Sequence, residues 1–143
     1  MESPEGAEAA NLWSKRIIGA AIEVHRHMGP GLLESVYEEC LAIEMAHRGI
    51  PFERQKSLPI AYQGRRLEGV LKADFVVARI VVLELKAVEA FLPVHEAQLH
   101  TYLRLTGLTL GLLLNFNVPV LSDGIRRRVL QFPDSASLRL CGE

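Results

Sequence analysis

Lys72-Ala-Asp-Phe-Val-Val-Ala-Arg-Ile-Val-Val-Leu-Glu-Leu-Lys86 decides how this chain folds. Two apolar, β-branched runs flank Ala78-Arg79, the pattern of a hairpin. The turn holds no Gly, Asn or Pro, so composition leaves its type open. Centring the hairpin on Arg79 sets Asp74 opposite Glu84, Val76 opposite Val82 and Lys72 opposite Lys86. Directly opposed residues share a face, with Cβ atoms ~4.5–5.5 Å apart. The other face is then wholly apolar: Ala73, Phe75, Val77, Val81, Leu83 and Leu85. A two-residue turn at Ala78-Arg79 would slip the pairing by one and send Asp74 to the face opposite Glu84. The centred register separates charged from apolar side chains and is the one expected.

That register brings two carboxylates together, with Lys86 two residues beyond Glu84 on the same side. Paired carboxylates repel unless a cation lies between them. A hard divalent ion such as Mg²⁺ is commonly held by one or two carboxylates plus waters and substrate phosphate. Lys86 would then orient or deprotonate a water, or stabilise developing negative charge. On the hairpin alone, a solvated Asp/Glu/Lys ion-pair cluster is the simpler reading, because charged residues on one strand face are common.

Working outward, the chain has the size of one domain, with 143 residues and room for a core. A formal net charge of −1 provides no global basic field for nucleic acid, though it leaves room for a local basic groove. Cys40 and Cys141 make no metal spacing and read as reduced thiols of a cytoplasmic protein. The acidic N-terminus is no signal peptide, and the longest apolar runs are too short to span a membrane. Residues 1–10 read as a mobile tail and 11–143 as the domain.

A first helix is capped by Asn11 or Ser14 and runs to about His27, where Met28-Gly-Pro-Gly31 breaks it. His25 on its apolar face reads as a partly buried core histidine. A second helix covers about Leu32 to His47, with Glu34 in its first turn, where an acid favours the helix dipole. Phe52 to Tyr62 reads as a strand, Gln63-Gly64 as a turn, Leu67 to Val77 as the next strand and Ile80 to Lys86 as a third. A helix over about Val94 to Thr106 carries His95, Gln98 and Tyr102 on one face. Leu108 to Phe116 is the continuous apolar run of a central strand, reached by a parallel crossover. After a loop over Asn117 to Asp123, Gly124 to Phe132 is a last strand bearing Arg126, Arg127 and Arg128. The expected class is α+β, an α/β/α sandwich: a mixed sheet containing an antiparallel meander, flanked by helices.

Asp74 followed by Glu84-Leu-Lys86 resembles the PD-(D/E)XK nuclease superfamily, with Ala73 where many members carry Pro. Gly31-Leu-Leu-Glu34-Ser-Val-Tyr37 fits the GxxExxY signature of small bacterial proteins of that superfamily. Gln98-Leu-His-Thr-Tyr102 is similar to the QxxxY motif of its RecB-like branch, and Leu113-Leu-Asn-Phe116 to the strand that follows. The resemblance spans roughly residues 11–132 and implies a restriction-endonuclease-like core. It implies a Mg²⁺- or Mn²⁺-dependent nuclease acting on nucleic acid, DNA in the first instance. Asp74 and Glu84 would be metal ligands, with the Leu85 carbonyl a third and Glu34 assisting. Lys86 would be the catalytic lysine, and Gln98 and Tyr102 would support substrate phosphates or orient Lys86. Gly31 and Tyr37 look structural.

Arg126 to Arg128, Arg65 and Arg66 are candidate phosphate contacts, because Arg pairs phosphate in a bidentate way. Solvated strand charge is the alternative for each. A nuclease this small carries little recognition surface of its own, so a homodimer or a partner protein is expected. The rival reading is a non-catalytic binding or regulatory protein on the same fold, within a larger repair or defence complex. A third is phosphoester hydrolysis on a small nucleotide. Fold alone does not choose among them.

Overall fold

The computed structural model describes residues 4–130. Its elements are α1 (Pro4–Met28), α2 (Glu34–His47), β1 (Phe52–Ser57), β2 (Ala61–Tyr62), β3 (Arg65–Arg66), β4 (Lys72–Val77), β5 (Val81–Lys86), α3 (Pro93–Thr106), β6 (Leu110–Asn115) and β7 (Ile125–Val129), with a 3-10 turn at Leu121–Gly124. The strands form a five-stranded sheet in the order β1-β4-β5-β6-β7, and β2-β3 make a separate pair. β5 and β6 are parallel, joined through α3, while the other neighbours in the large sheet are antiparallel. This is the mixed sheet with a meander that the sequence predicts.

The central hairpin takes the register centred on Arg79: Val77 pairs Val81, Val76 pairs Val82 and Phe75 pairs Leu83. The turn itself is the tight two-residue kind. Ala78 and Arg79 both have positive φ (55° and 58°), and the Ile80 N–H donates to the Val77 carbonyl at 2.9 Å. Val77 therefore faces Ile80 through the turn and Val81 through the ladder. Ile80 is the extra residue that keeps the register centred despite a two-residue turn.

One face of the sheet packs on α1 and α2. Phe75, Val77, Val81, Leu83, Leu85, Leu110, Leu112 and Leu114 meet Ile17, Ala20, Ala21, Tyr37, Leu41 and Met45 there. The other face packs on α3, where Val76, Val82 and Leu113 meet Leu99, Tyr102 and Leu103. Ala73 departs from the expected alternation and joins the α3 side. The cause is a local break in β4 at Asp74, described below.

Three boundaries differ from expectation. α1 is already helical from Pro4, so residues 4–10 are not a tail. The Ala-rich Gly6-Ala-Glu-Ala-Ala10 favours helix, and Ala10 is buried. β1 stops at Ser57 rather than Tyr62, because Pro59 has no N–H to give a ladder. The next strand begins at Lys72 rather than Leu67, after a turn in which Gly69 has a φ of 66°. β7 is described as a strand to Val129. Its expected end at Phe132 and the Cys141 thiol lie outside the described residues. Cys40 is a free, half-buried thiol against the core. Among the described residues no helix is long and apolar enough to cross a membrane.

Candidate active site

β4 leaves its ladder at Asp74. The β4–β5 pairs end at Phe75↔Leu83, and the β1–β4 pairs pass from Arg54↔Phe75 to Lys56↔Ala73. Gln55, the residue across from Asp74 in that register, has a φ of 51°. In place of strand-to-strand bonds, each acid accepts from a backbone N–H of the opposite strand. Glu84 Oε2 accepts from the Asp74 N–H at 2.7 Å, and Asp74 Oδ2 accepts from the Leu85 N–H at 2.9 Å. Both carboxylates are thus fixed in the gap where the strands part.

That placement has an electrostatic cost. Burial, then the neighbouring Asp74 charge, pushes the Glu84 carboxyl up to about 8. Burial also raises Asp74, against the Leu85 hydrogen bond that lowers it. Lys86 offsets this for both acids. Its Nζ donates to Gln98 Oε1 at 3.1 Å, and Gln98 Nε2 donates to the Tyr102 hydroxyl at 3.0 Å. Tyr102 is raised first by burial and then by the Glu84 charge. Helical spacing explains the row: residues 98 and 102 are one turn apart on the face of α3 that meets the sheet. Of the two residues expected to support substrate phosphates or orient Lys86, Gln98 bonds to Lys86 directly and Tyr102 bonds to Gln98.

Glu34 stands at the start of α2. Burial raises its carboxyl, Lys86 lowers it and Asp74 raises it again, so it lies within the field of the site. It is not assembled with Asp74 and Glu84 into a three-ligand cage: among the described residues no three His, Cys, Asp or Glu side chains form a metal-holding group. The side chains at the gap therefore offer two carboxylates. That donor set fits a hard divalent cation, which often takes only one or two protein carboxylates. The repulsion between buried Glu84 and half-buried Asp74, only partly offset by Lys86, is itself the property a cation would remove.

Three residues at this site escape a reading of the sequence. Gln55 Nε2 donates to Glu38 Oε1 (2.8 Å) and to Asp74 Oδ1 (3.3 Å), tying the site to α2. Glu38 and Glu39 in turn hold Arg54 at 2.7 and 3.0 Å. Buried Asn115 clamps the segment after Lys86, donating to the Val88 carbonyl at 2.8 Å and accepting from the Val88 N–H at 3.1 Å. The one available signal was Asn115 closing an otherwise apolar run. Tyr37 and His25 take the structural places expected of them. The Tyr37 hydroxyl donates to the Gly29 carbonyl at 2.6 Å while its ring stacks on Phe116, and His25 Nε2 lies 2.7 Å from the Val118 carbonyl.

The β7 arginines are largely occupied. Arg127 reaches Asn11 and Ser14 on α1, and Arg128 forms an ion pair with Glu96 on α3. Arg126 lies over the Phe91 ring, 5.2 Å from its centroid. None of the three contacts the Asp74–Glu84–Lys86 group. A cleft of about 470 Å³ between the end of α1 and the Pro119–Ser122 loop holds none of the site residues either.

A family model described as the PD-(D/E)XK nuclease superfamily matches residues 11–128. Comparison with curated proteins and with solved structures gives no match.

Proposed function

The chain belongs to the PD-(D/E)XK nuclease superfamily, and on that footing we propose that it is a Mg²⁺- or Mn²⁺-dependent nuclease of the GxxExxY, RecB-like branch that hydrolyses phosphodiester bonds of DNA. The observation that carries this reading is the gap at Asp74. Two acids there replace the strand ladder with bonds to backbone N–H groups of the opposite strand, and a lysine held by a glutamine stands beside them. A strand pair kept only for stability would gain more from continuing its ladder with apolar residues.

In this reading Asp74 and Glu84 hold the cation, with the Leu85 carbonyl beside them. When bound, the cation neutralises the scissile phosphate and acidifies the attacking water. The chain's own part is positioning and charge. The Lys86 ammonium, aimed by Gln98, faces the phosphoryl oxygens as negative charge builds on them. Gln55 holds the free oxygen of Asp74 in place, and Tyr102 fixes the Gln98 amide. Glu34 adds negative charge at the rim and favours cation entry. Arg126 is the β7 arginine with its guanidinium on an aromatic face rather than on an acid, and it remains a phosphate contact in this proposal. Arg128 would first have to leave Glu96.

The test is cleavage of linear, circular and single-stranded DNA, with RNA alongside, in Mg²⁺ or Mn²⁺. Cleavage that disappears in Lys86→Ala and with a chelator is the expected result. A folded protein that neither cleaves nor binds Mg²⁺ would replace this reading with a non-catalytic binding role.

A further inference from the structure

β1 and β4 stay together past the site. Beyond the Ser57↔Lys72 pair, the Leu58 N–H donates to the Leu71 carbonyl and the Leu67 N–H to the Ile60 carbonyl, each at 2.9 Å. The two segments then close as β2 and β3 through Gln63 and Gly64, at φ 49° and 78°. Two positive φ values in a row make the tight turn that matches strand twist. The result is an arm that leaves the sheet at the end holding Asp74, which is the third residue of β4.

This arm presents side chains that a purely structural hairpin would bury. A two-stranded hairpin is marginal in water without packing, yet all four residues of β2 and β3 are exposed. Tyr62 is 69% exposed, touched at its hydroxyl by Gln63 at 3.3 Å. Arg65 and Lys72 are exposed and make no ion pair among the described residues. Arg66 has only Glu68 at 3.6 Å, in a pair so open to solvent that it costs little to break. An aromatic ring with one unpaired cation opposite it, Arg65, and a second, Lys72, further along the arm toward Asp74, suits one ligand class. Arginine and lysine take phosphate, and the ring stacks on a base. In a duplex each base already has both faces covered, so the ring needs an unpaired one.

We infer that the β2–β3 arm binds a single-stranded stretch of nucleic acid, stacking a base on Tyr62 and holding the adjoining phosphates with Arg65 and Lys72. The inference rests on the nuclease reading and narrows its substrate to nucleic acid with an unpaired flank. Tyr62 is seven residues along the chain from Gln55, the residue across from Asp74, so at ~3.3 Å per residue the arm reaches at most ~23 Å from the site. For a stacked strand at ~3.4 Å per nucleotide, the stacked base lies up to about seven nucleotides from the bond cut.

The test uses full-length Lys86→Ala protein with Mg²⁺, so that nothing is cut, and a labelled oligonucleotide of about 20 nucleotides, single-stranded or annealed to its complement. Binding is followed by fluorescence anisotropy over a salt series. Tyr62→Ala is expected to weaken single-strand binding about tenfold, and Tyr62→Phe to retain it, as the loss of one base–aromatic stack predicts. Arg65→Ala should make the slope of log affinity against log salt shallower by about 0.7. The duplex should respond less to Tyr62→Ala. Unchanged melting temperatures would show that the variants fold. If both variants bind single strands as Lys86→Ala does, the arm assignment is wrong while wild-type cleavage still supports the nuclease. An equal loss on duplex and single strand would overturn the single-strand preference. If Lys86→Ala binds no oligonucleotide and the wild type cleaves none, the nuclease reading and the arm fall together.

Discussion

Glu84 is buried with a carboxyl raised to about 8, against 4.5 in an ordinary setting. The folded state therefore holds its proton through a range where the unfolded chain has released it. Stability tied to this group is fully present below about 4.5 and is lost as pH rises toward 8. Asp74 is shifted in the same direction. Glu84→Gln keeps an oxygen to accept from the Asp74 N–H but never ionises. In metal-free buffer at pH 8 it should be more stable than wild type by a few kcal/mol, and the gap should close near pH 4.5. Thermal melts across pH with a chelator read this directly. A Glu84→Gln protein that is less stable than wild type at pH 8 would mean the carboxylate is not the burden argued here. Gain in stability with loss of activity is the usual sign of a site kept for chemistry. Gln98→Ala is a second case, since it frees the Lys86 ammonium. It should lower kcat about 10- to 100-fold with a much smaller change in KM, the usual cost of losing an outer positioning bond. The positions of Glu84 and Lys86 on β5 and of Gln98 and Tyr102 on α3 were legible because strand alternation and one helical turn are local patterns, whereas the break in the ladder at Asp74 was not. Nor were Gln55, Glu38 and Asn115. Their roles depend on contacts between elements 17 to 27 residues apart in sequence, which no local pattern encodes.

The hairpin shows how an element can be right in register and still unexpected in its turn. Alternation of charge and apolar bulk set the pairing, and the Val76↔Val82 pair follows it. The turn was unreadable because Ala78 and Arg79 are poor residues for positive φ, and only Ile80 as an extra residue reconciles them with the register. Left-handed backbone costs a non-glycine residue ~1–2 kcal/mol, offset in part by the entropy a glycine loses on folding. Arg79→Gly should therefore stabilise the protein by about 0.5–1 kcal/mol in urea denaturation. The α3 layer makes the opposite prediction. A Cβ at Gly111 would stand 2.8 Å from Leu99 Cδ1 and 2.9 Å from its Cγ, and Leu99 is fully buried with nowhere to go. Gly111→Ala should cost about 1–3 kcal/mol by the same assay. Because Leu99 follows Gln98 directly on α3, the same change should lower cleavage more than Arg79→Gly does. The early end of β1 was legible in principle, since Pro59 was in view. The alternation from Phe52 to Tyr62 outweighed it because the arm beyond resumes a strand.

At the scale of the molecule, the α/β/α order was legible because the long helices and the central strands each show an apolar face, and the crossover through α3 follows from β6 being an almost wholly apolar, buried run beside β5. The charge layout was not. A net charge of −1 hides an acidic end of the sheet, where Glu34, Glu38, Asp74 and Glu84 gather around Lys86 and Arg54. It also hides a cationic arm at Arg65, Arg66 and Lys72 just beyond. Phosphate approaching along the arm must pass into the field of the acids, which repel it until a divalent cation offsets them. Mg²⁺ and nucleic acid should then bind with positive coupling. Affinity for a single-stranded oligonucleotide, measured on Lys86→Ala protein, should rise about 5- to 150-fold when Mg²⁺ is added at constant ionic strength, the usual span of coupling between two sites. Added Na⁺ should lower it, since simple salt only screens the arm's cations. Linkage requires the reverse as well: the oligonucleotide must tighten Mg²⁺ by the same factor. Glu84→Gln in the Lys86→Ala protein removes one of the two carboxylates proposed to hold Mg²⁺, so it should shrink both effects together. An affinity for nucleic acid that ignores Mg²⁺ would mean that the strand bound by the arm never reaches the acids, and the arm and the gap at Asp74 would then be separate surfaces rather than two ends of one binding path.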